Sequence, residues 1–121
     1  MQPILIVDDD LDTREALKFL LESHGYVVAF AASGAEGLTK LRAGLQPCLI
    51  LLDLRMPETN GFQFRVQQVL DPALSQIPVA VYSGDPDACA HGTALGAVAQ
   101  FDKPIDVDKL LEVIRSHCGA R

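Results

Sequence analysis

The chain has 121 residues, of which 49% are hydrophobic and 21% charged, and these values fit one globular domain spanning residues 1–121. They exclude an intrinsically disordered or collagen-like chain. Ten basic and 16 acidic residues give a formal net charge of −6. Because nucleic acids and anionic membranes are also negatively charged, this balance disfavours direct binding to either.

The sequence shows no signal for membrane insertion or secretion. No apolar run approaches the roughly 18 residues that a membrane span requires. No basic segment precedes the apolar residues 4–7, as one would in a signal peptide. The three cysteines, Cys48, Cys89 and Cys118, have no CxxC spacing. We therefore predict a cytoplasmic protein in which the three thiols are free and reduced.

Five short apolar runs alternate with amphipathic segments along the chain. The runs lack the polar alternation of half-exposed strands, which indicates strands buried on both faces, as in a parallel sheet. The predicted strands are Ile4–Val7, Tyr26–Phe30, Cys48–Leu52, Ile77–Tyr82 and Val98–Phe101.

The segments between these runs have the signals of helices. A capping box of Ser33 and Glu36 begins the second helix, and Asp106 caps the last one. Asp85–Pro86 begins a helix that ends at Gly96. In the other two, apolar residues repeat at helical spacing: Ala16, Leu17, Leu20 and Leu21 before Gly25, and Phe62, Val66 and Val69 before Asp71–Pro72.

This alternation predicts an α/β fold, a doubly wound (βα)₅ domain with helices on both faces of a parallel sheet. For five strands the common order is 2-1-3-4-5, the flavodoxin-like arrangement. Ligands of such sheets bind outside the carboxyl ends of the strands, where the strand order reverses between the first and third strands. The residues that follow each strand are therefore the first candidates for a functional site.

Acidic residues follow the two strands that this topology makes neighbours. Asp8, Asp9 and Asp10 come after the first strand, and Asp53 comes after the third. Singly, these residues could be helix-terminal acids or solvated loop residues. Together, Asp8, Asp9 and Asp53 would repel one another unless a cation lay between them. An all-oxygen ligand set of this kind suits Mg²⁺ or Mn²⁺ better than zinc.

The order of the motifs resembles the receiver domain of bacterial two-component response regulators, and the resemblance covers almost the whole chain. The segments that carry it are Ile4-Leu-Ile-Val-Asp-Asp-Asp10, Leu52-Asp-Leu-Arg-Met-Pro57 with Asn60-Gly61, Ser83-Gly84 and Lys103-Pro104. No single segment is diagnostic, but the ordered set is highly specific. The resemblance implies a signalling switch that is phosphorylated on an aspartate and acts through protein–protein contacts.

The resemblance also implies a role for each site residue. Asp53 would be the phosphoacceptor, and Lys103 and Ser83 would contact the phosphoryl group. Asp8 and Asp9, with Asp53 and the backbone carbonyl of Arg55, would bind Mg²⁺. The Lys103–Pro104 bond is expected to be cis, and Asp10 is expected to be an ordinary residue at the start of a helix.

One position departs from the family. Three residues before the lysine, receivers usually have Tyr or Phe as a rotameric switch, and this chain has Gln100. Phe101 follows, but neighbouring side chains on a strand point to opposite faces. The phosphorylation chemistry does not depend on this position, whereas the usual route of signal output does.

We expect a stand-alone receiver because residue 121 comes just after the last helix, although a receiver truncated from a longer response regulator or hybrid histidine kinase would look the same. The implied partners are a histidine kinase or histidine phosphotransfer protein as donor and a downstream protein as target. We expect no enzymatic activity beyond the domain's own phosphoryl transfer and autodephosphorylation.

Two other classes fit less well. A haloacid-dehalogenase-type phosphatase needs a second aspartate two residues after the nucleophile, where this chain has Arg55. A flavodoxin needs a Ser/Thr/Gly-rich phosphate loop after the first strand, where the three aspartates would repel the FMN phosphate.

Overall fold

Five parallel strands form one sheet in the computed structural model, which describes residues 2–54, 61–84 and 96–119. The strand order is β2-β1-β3-β4-β5, so the predicted topology is confirmed. Each strand begins and ends within two residues of its predicted bounds. The strands are β1 (Ile4–Val7), β2 (Val28–Ala31), β3 (Leu49–Asp53), β4 (Val79–Ser83) and β5 (Ala99–Asp102).

Four helices lie in the described part of the chain: α1 (Leu11–Ser23), α2 (Gly34–Arg42), α3 (Gly61–Leu70) and α4 (Val107–Cys118). The side chains of Asp10, Ser33 and Asp106 accept hydrogen bonds from the first backbone N–H groups of α1, α2 and α4, which confirms the two predicted caps at Ser33 and Asp106. The helix predicted from Asp85 to Gly96 lies, except for Gly96, outside the described residues.

The two faces of the sheet are covered by different helices because successive strand residues point to opposite sides. On the first face, Ile4, Ile6, Leu49 and Leu51 pack against residues of α1 and α4, including Leu21 and Ile114. On the second face, Leu5, Val7, Ile50 and Leu52 pack against residues of α2 and α3, including Leu41 and Phe64. The arrangement is doubly wound, as predicted.

The helix α3 is confirmed, but the apolar residues whose spacing predicted it do not mark its buried face. Val66 and Val69 are each 51% exposed, whereas Phe64 and Gln68, four residues apart, are fully buried. The Gln68 amide nitrogen donates to the carbonyls of Leu74 and Ile77 at 2.9 and 3.0 Å. A buried glutamine with satisfied partners looks like a surface residue in the sequence, so the apolar spacing alone does not reveal the buried face of this helix.

The prediction of three free thiols was also wrong. Cys48, just before β3, and Cys118, the last residue of α4, form a disulfide with a Cα–Cα distance of 5.3 Å. Their separation of 70 residues hides the pair from any local spacing rule. Next to it, the Tyr26 hydroxyl donates to the Gly119 carbonyl at 2.8 Å. Cys89 lies outside the described residues.

Within the described part of the chain, no helix combines the length and the hydropathy needed to span a membrane.

Candidate functional site

The first and third strands bring the predicted acidic residues together at the carboxyl edge of the sheet. β1 and β3 pair in parallel with Val7 beside Leu52, so Asp8 and Asp53 follow at the same level. One carboxylate oxygen from each of Asp8, Asp9 and Asp53 lies within 4.8 Å of the others. Asp8 and Asp53 are buried, whereas Asp9 is exposed. The predicted convergence of the three acids is confirmed.

The Asp8 carboxylate is fixed by a donor on each of its oxygens. The Asp10 backbone N–H donates to Oδ1 at 2.8 Å, and the Tyr82 hydroxyl donates to Oδ2 at 2.6 Å. Short hydrogen bonds to an ionised carboxylate are stronger than those between neutral groups. These two donors compensate Asp8 for its complete removal from solvent.

Tyr82 is the site residue that the sequence analysis missed. Its position in β4 is on the first face of the sheet, and its side chain is fully buried. Burial, together with the neighbouring negative charge of Asp8, raises the pKa of Tyr82 well above its usual range, so its hydroxyl stays protonated. The sequence did contain a signal, because a tyrosine in a strand buried on both faces needs a partner for its hydroxyl.

Lys103 provides the positive charge of the site. Its Nζ lies 3.7 Å from Asp53 Oδ2 and 5.2 Å from the centre of the Tyr82 ring. The Lys103 backbone N–H donates to the Ser83 carbonyl at 3.0 Å, which fixes the segment after β5 to the end of β4. The Lys103–Pro104 peptide bond is cis, as the resemblance implied.

The remaining predicted residues have mixed outcomes. Ser83 is fully buried at the end of β4, next to β3. Asp10 caps α1, and the hydrogen bond from the Thr13 hydroxyl is the main cause that lowers the pKa of Asp10. It therefore serves the helix, as expected. Arg55, whose carbonyl was assigned to the metal, lies outside the described residues.

The departure at position 100 has the predicted geometry. Gln100 is exposed on β5, and the next residue, Phe101, is buried among the residues of the first face. Neither exposed position of this strand, Gln100 or Asp102, therefore holds an aromatic side chain.

The donor set fits a hard divalent cation. Three carboxylates within 4.8 Å supply only oxygen ligands, and the exposed Asp9 leaves access for water. Two unit negative charges about 4 Å apart repel by ~1 kcal/mol in water and ~4 kcal/mol at an effective dielectric constant of 20. Lys103 offsets part of this repulsion through Asp53, and a bound cation would offset the rest.

Known proteins with the same pattern identify the family. Residues 4–115 match the family described as the response regulator receiver domain. The chain is 35% identical to protein PilH of Pseudomonas aeruginosa over 118 residues, which cover 96% of this chain and 97% of PilH. It is 38% identical to the transcriptional regulatory protein GlrR of Escherichia coli over 112 residues, which cover 92% of this chain and 25% of GlrR.

A solved structure agrees with this match. The fold superposes on a putative response regulator from Chloroflexus aurantiacus with a TM-score of 0.87 and 29% identity, covering 95% of each chain. The chain therefore belongs to the family of response regulator receiver domains, and it is a phosphorylation-dependent signalling switch of a two-component system.

Proposed function

We propose that Asp53 of this receiver accepts a phosphoryl group from a phosphohistidine and that Ser83 and Lys103 respond to it. The observation that carries the proposal is the ion pair between Lys103 Nζ and Asp53 Oδ2 at 3.7 Å, directly beside Asp8 and Asp9. A carboxylate held next to a cation, at the edge of the sheet where ligands bind, is suited to receive a second anionic group.

The reaction requires little covalent chemistry from the protein. An oxygen of the Asp53 carboxylate attacks phosphorus, the bond from phosphorus to the histidine nitrogen breaks, and the imidazole takes up a proton as it leaves. Lys103 places one positive charge against the phosphoryl oxygens. The signal ends by autodephosphorylation: water attacks the same phosphorus, the bond from phosphorus to the Asp53 oxygen breaks, and the Asp53 carboxylate is restored.

Asp8, Asp9 and Asp53, with the backbone carbonyl of Arg55, are the proposed ligands of Mg²⁺, or of Mn²⁺ in its place. When bound, the ion supplies positive charge that neutralises the carboxylates and the incoming phosphoryl group. The buried Asp8 and Asp53 offer oxygens that cannot move far, and the exposed Asp9 leaves one side of the site open.

Ser83 is the proposed link between chemistry and signal. A phosphorylated aspartate carries about two negative charges and accepts strong hydrogen bonds. The Ser83 hydroxyl, at the end of the strand next to Asp53, is the proposed donor to the phosphoryl group. Movement of this residue would then change the carboxyl end of β4.

The proposed partners follow from the chemistry. A histidine kinase or histidine phosphotransfer protein supplies the phosphoryl group, and a downstream protein recognises the phosphorylated state. The net charge of −6 supports a protein target rather than a nucleic acid. The reactions proposed for the chain are its own phosphorylation and autodephosphorylation.

The proposed location is the cytoplasm, where kinases have access to ATP.

The test is covalent labelling with a small phosphodonor, acetyl phosphate. We expect the intact mass to rise by one phosphoryl group in the presence of Mg²⁺ and not in the presence of a chelator. Asp53→Asn should abolish the adduct, since an amide is a poor nucleophile. Asp102→Asn, which changes another acidic residue at the carboxyl end of a strand, is the matched control and should be labelled normally. An adduct that persists in Asp53→Asn would refute the assignment.

A further inference from the structure

Within the described residues, the buried hydroxyl of Tyr82 makes its hydrogen bond to the acidic cluster. It donates to Asp8 Oδ2 at 2.6 Å across one intervening strand, since β3 lies between β1 and β4. Both residues are 0% exposed. The hydrogen bond therefore connects β4, which carries Ser83, to the acidic residue that follows β1.

The same side chain also contacts Lys103. Nζ lies 5.2 Å from the centre of the Tyr82 ring, within the range of a cation–π interaction. From there Nζ reaches Asp53 Oδ2 at 3.7 Å. The Tyr82 side chain thus contacts the ammonium group of Lys103 through its ring and the carboxylate of Asp8 through its hydroxyl.

The geometry points to Tyr82 as a positioning residue for the divalent cation and for Lys103, an inference that rests on the proposed function. The hydroxyl holds Asp8 Oδ2 while the Asp10 N–H holds Oδ1, so the carboxylate has one orientation before the cation arrives. Groups that orient a metal ligand in this way commonly change metal affinity by ten- to a hundredfold when they are removed.

The ring and the hydroxyl have separable effects. Tyr82→Phe keeps the ring under Lys103 and removes only the donor to Asp8. Tyr82→Leu removes both. If Tyr82 positions the two groups, the first variant should lose metal affinity, and the second should lose metal affinity and transfer rate.

The test measures Mn²⁺ binding through the loss of the free-ion EPR signal, and phosphorylation by acetyl phosphate at saturating Mg²⁺. For Tyr82→Phe we expect the Kd for Mn²⁺ to rise about tenfold, and the Mg²⁺ concentration that gives half-maximal phosphorylation to rise with it. For Tyr82→Leu the phosphorylation rate at saturating Mg²⁺ should also fall, because Lys103 loses its contact with the aromatic ring. Thermal melting shows which variants are folded, and the Phe variant, which leaves no cavity, carries the test.

Tyr26→Phe is the matched control, since the chain has two tyrosines and this one also donates a buried hydroxyl, at the other end of the sheet. It should bind Mn²⁺ like the wild type. Unchanged or tighter Mn²⁺ binding by Tyr82→Phe, or an equal loss in Tyr26→Phe, would overturn the inference. If the wild type itself neither binds Mn²⁺ nor forms the adduct, the proposed function fails instead.

Discussion

At the carboxyl end of the sheet three carboxylates lie together, whereas at the amino end a disulfide joins Cys48 to Cys118. The carboxyl end concentrates like charges, which oppose folding until a cation binds. The amino end links residues 70 positions apart, which favours folding by restricting the unfolded chain. The disulfide at the amino end therefore stabilises the fold, whereas the carboxylates at the carboxyl end lower its stability and serve function.

The two tyrosines show the same division. Tyr26 donates to a backbone carbonyl, that of Gly119, and so holds the end of α4. Tyr82 donates to a carboxylate, Asp8, whose charge would otherwise be buried with fewer partners. The same hydroxyl chemistry serves fold stability at one end and a charged site at the other.

The largest expected effect on stability comes from the disulfide. Closing a loop of this length is worth about 4 kcal/mol, out of a typical total of about 5–15 kcal/mol. Reduction, or Cys118→Ser, should therefore lower the melting temperature by on the order of 10 °C. Phosphorylation of Asp53 at a temperature well below the melting point should be unaffected, because the five residues of β3 separate the two ends by about 16 Å.

The control for the disulfide is the third cysteine. Cys89→Ser should keep the full difference between the oxidised and reduced melting temperatures. Thiol titration of the oxidised protein under denaturing conditions should find one free thiol, since the chain has three cysteines and one pair. Equal melting temperatures with and without reductant would contradict the stabilising role of this end.

The next effect concerns the cation and the acidic cluster. Mg²⁺ at 100 times its Kd should stabilise the folded protein by about 2.7 kcal/mol, which is several degrees for a domain of this size. Asp9→Asn should raise the melting temperature of the metal-free protein by removing one of the repelling charges, and it should abolish the response to Mg²⁺. Thermal melting with Mg²⁺ and with chelator measures both.

Asp10→Asn is the matched control for Asp9→Asn. It removes the same charge from the neighbouring residue, and asparagine caps a helix as well as aspartate does. The Asp10 side chain bonds to Asp12 and Thr13 of α1, outside the cluster. Its response to Mg²⁺ should match that of the wild type. If Asp9→Asn also responded like the wild type, Asp9 would not be a ligand.

The sequence predicted the succession of strands and helices and the residues of the acidic cluster because both depend on local patterns, whereas the strand order came from the arrangement that is common to such folds. Apolar runs separated by capped helices define the (βα)₅ order, and Asp8, Asp9 and Asp53 directly follow strands. The signals that it did not reveal were long-range. Cys48 and Cys118 are adjacent only after folding, and Gln68 is buried only because Leu74 and Ile77 present carbonyls to it.

Tyr82 lies between these two cases, because its position follows from a local pattern and its partner does not. Its place in a buried strand was predicted, and the need of its hydroxyl for a partner follows from general chemistry. Which partner it has depends on the register across β3, which puts Tyr82 beside Asp53 and within reach of Asp8. Strand register of this kind is a property of the assembled sheet and not of any one segment.

The smallest expected effect concerns the exposed Gln100 of β5. An inward-turned glutamine without hydrogen-bond partners would cost about 1–3 kcal/mol, so Gln100 should stay in solvent when Asp53 is phosphorylated. Backbone NMR shifts between the free protein and its beryllofluoride complex should therefore be large near Ser83 and small across residues 96–101 and α4. Gln100→Tyr, which restores the aromatic residue usual in the family, should spread the shifts to β5. The prediction would be wrong if the wild type showed shifts across β5 and α4 as large as those near Ser83. This face would then switch without an aromatic ring, and the signal would leave the carboxyl end of the sheet through packing that is compatible with glutamine at position 100.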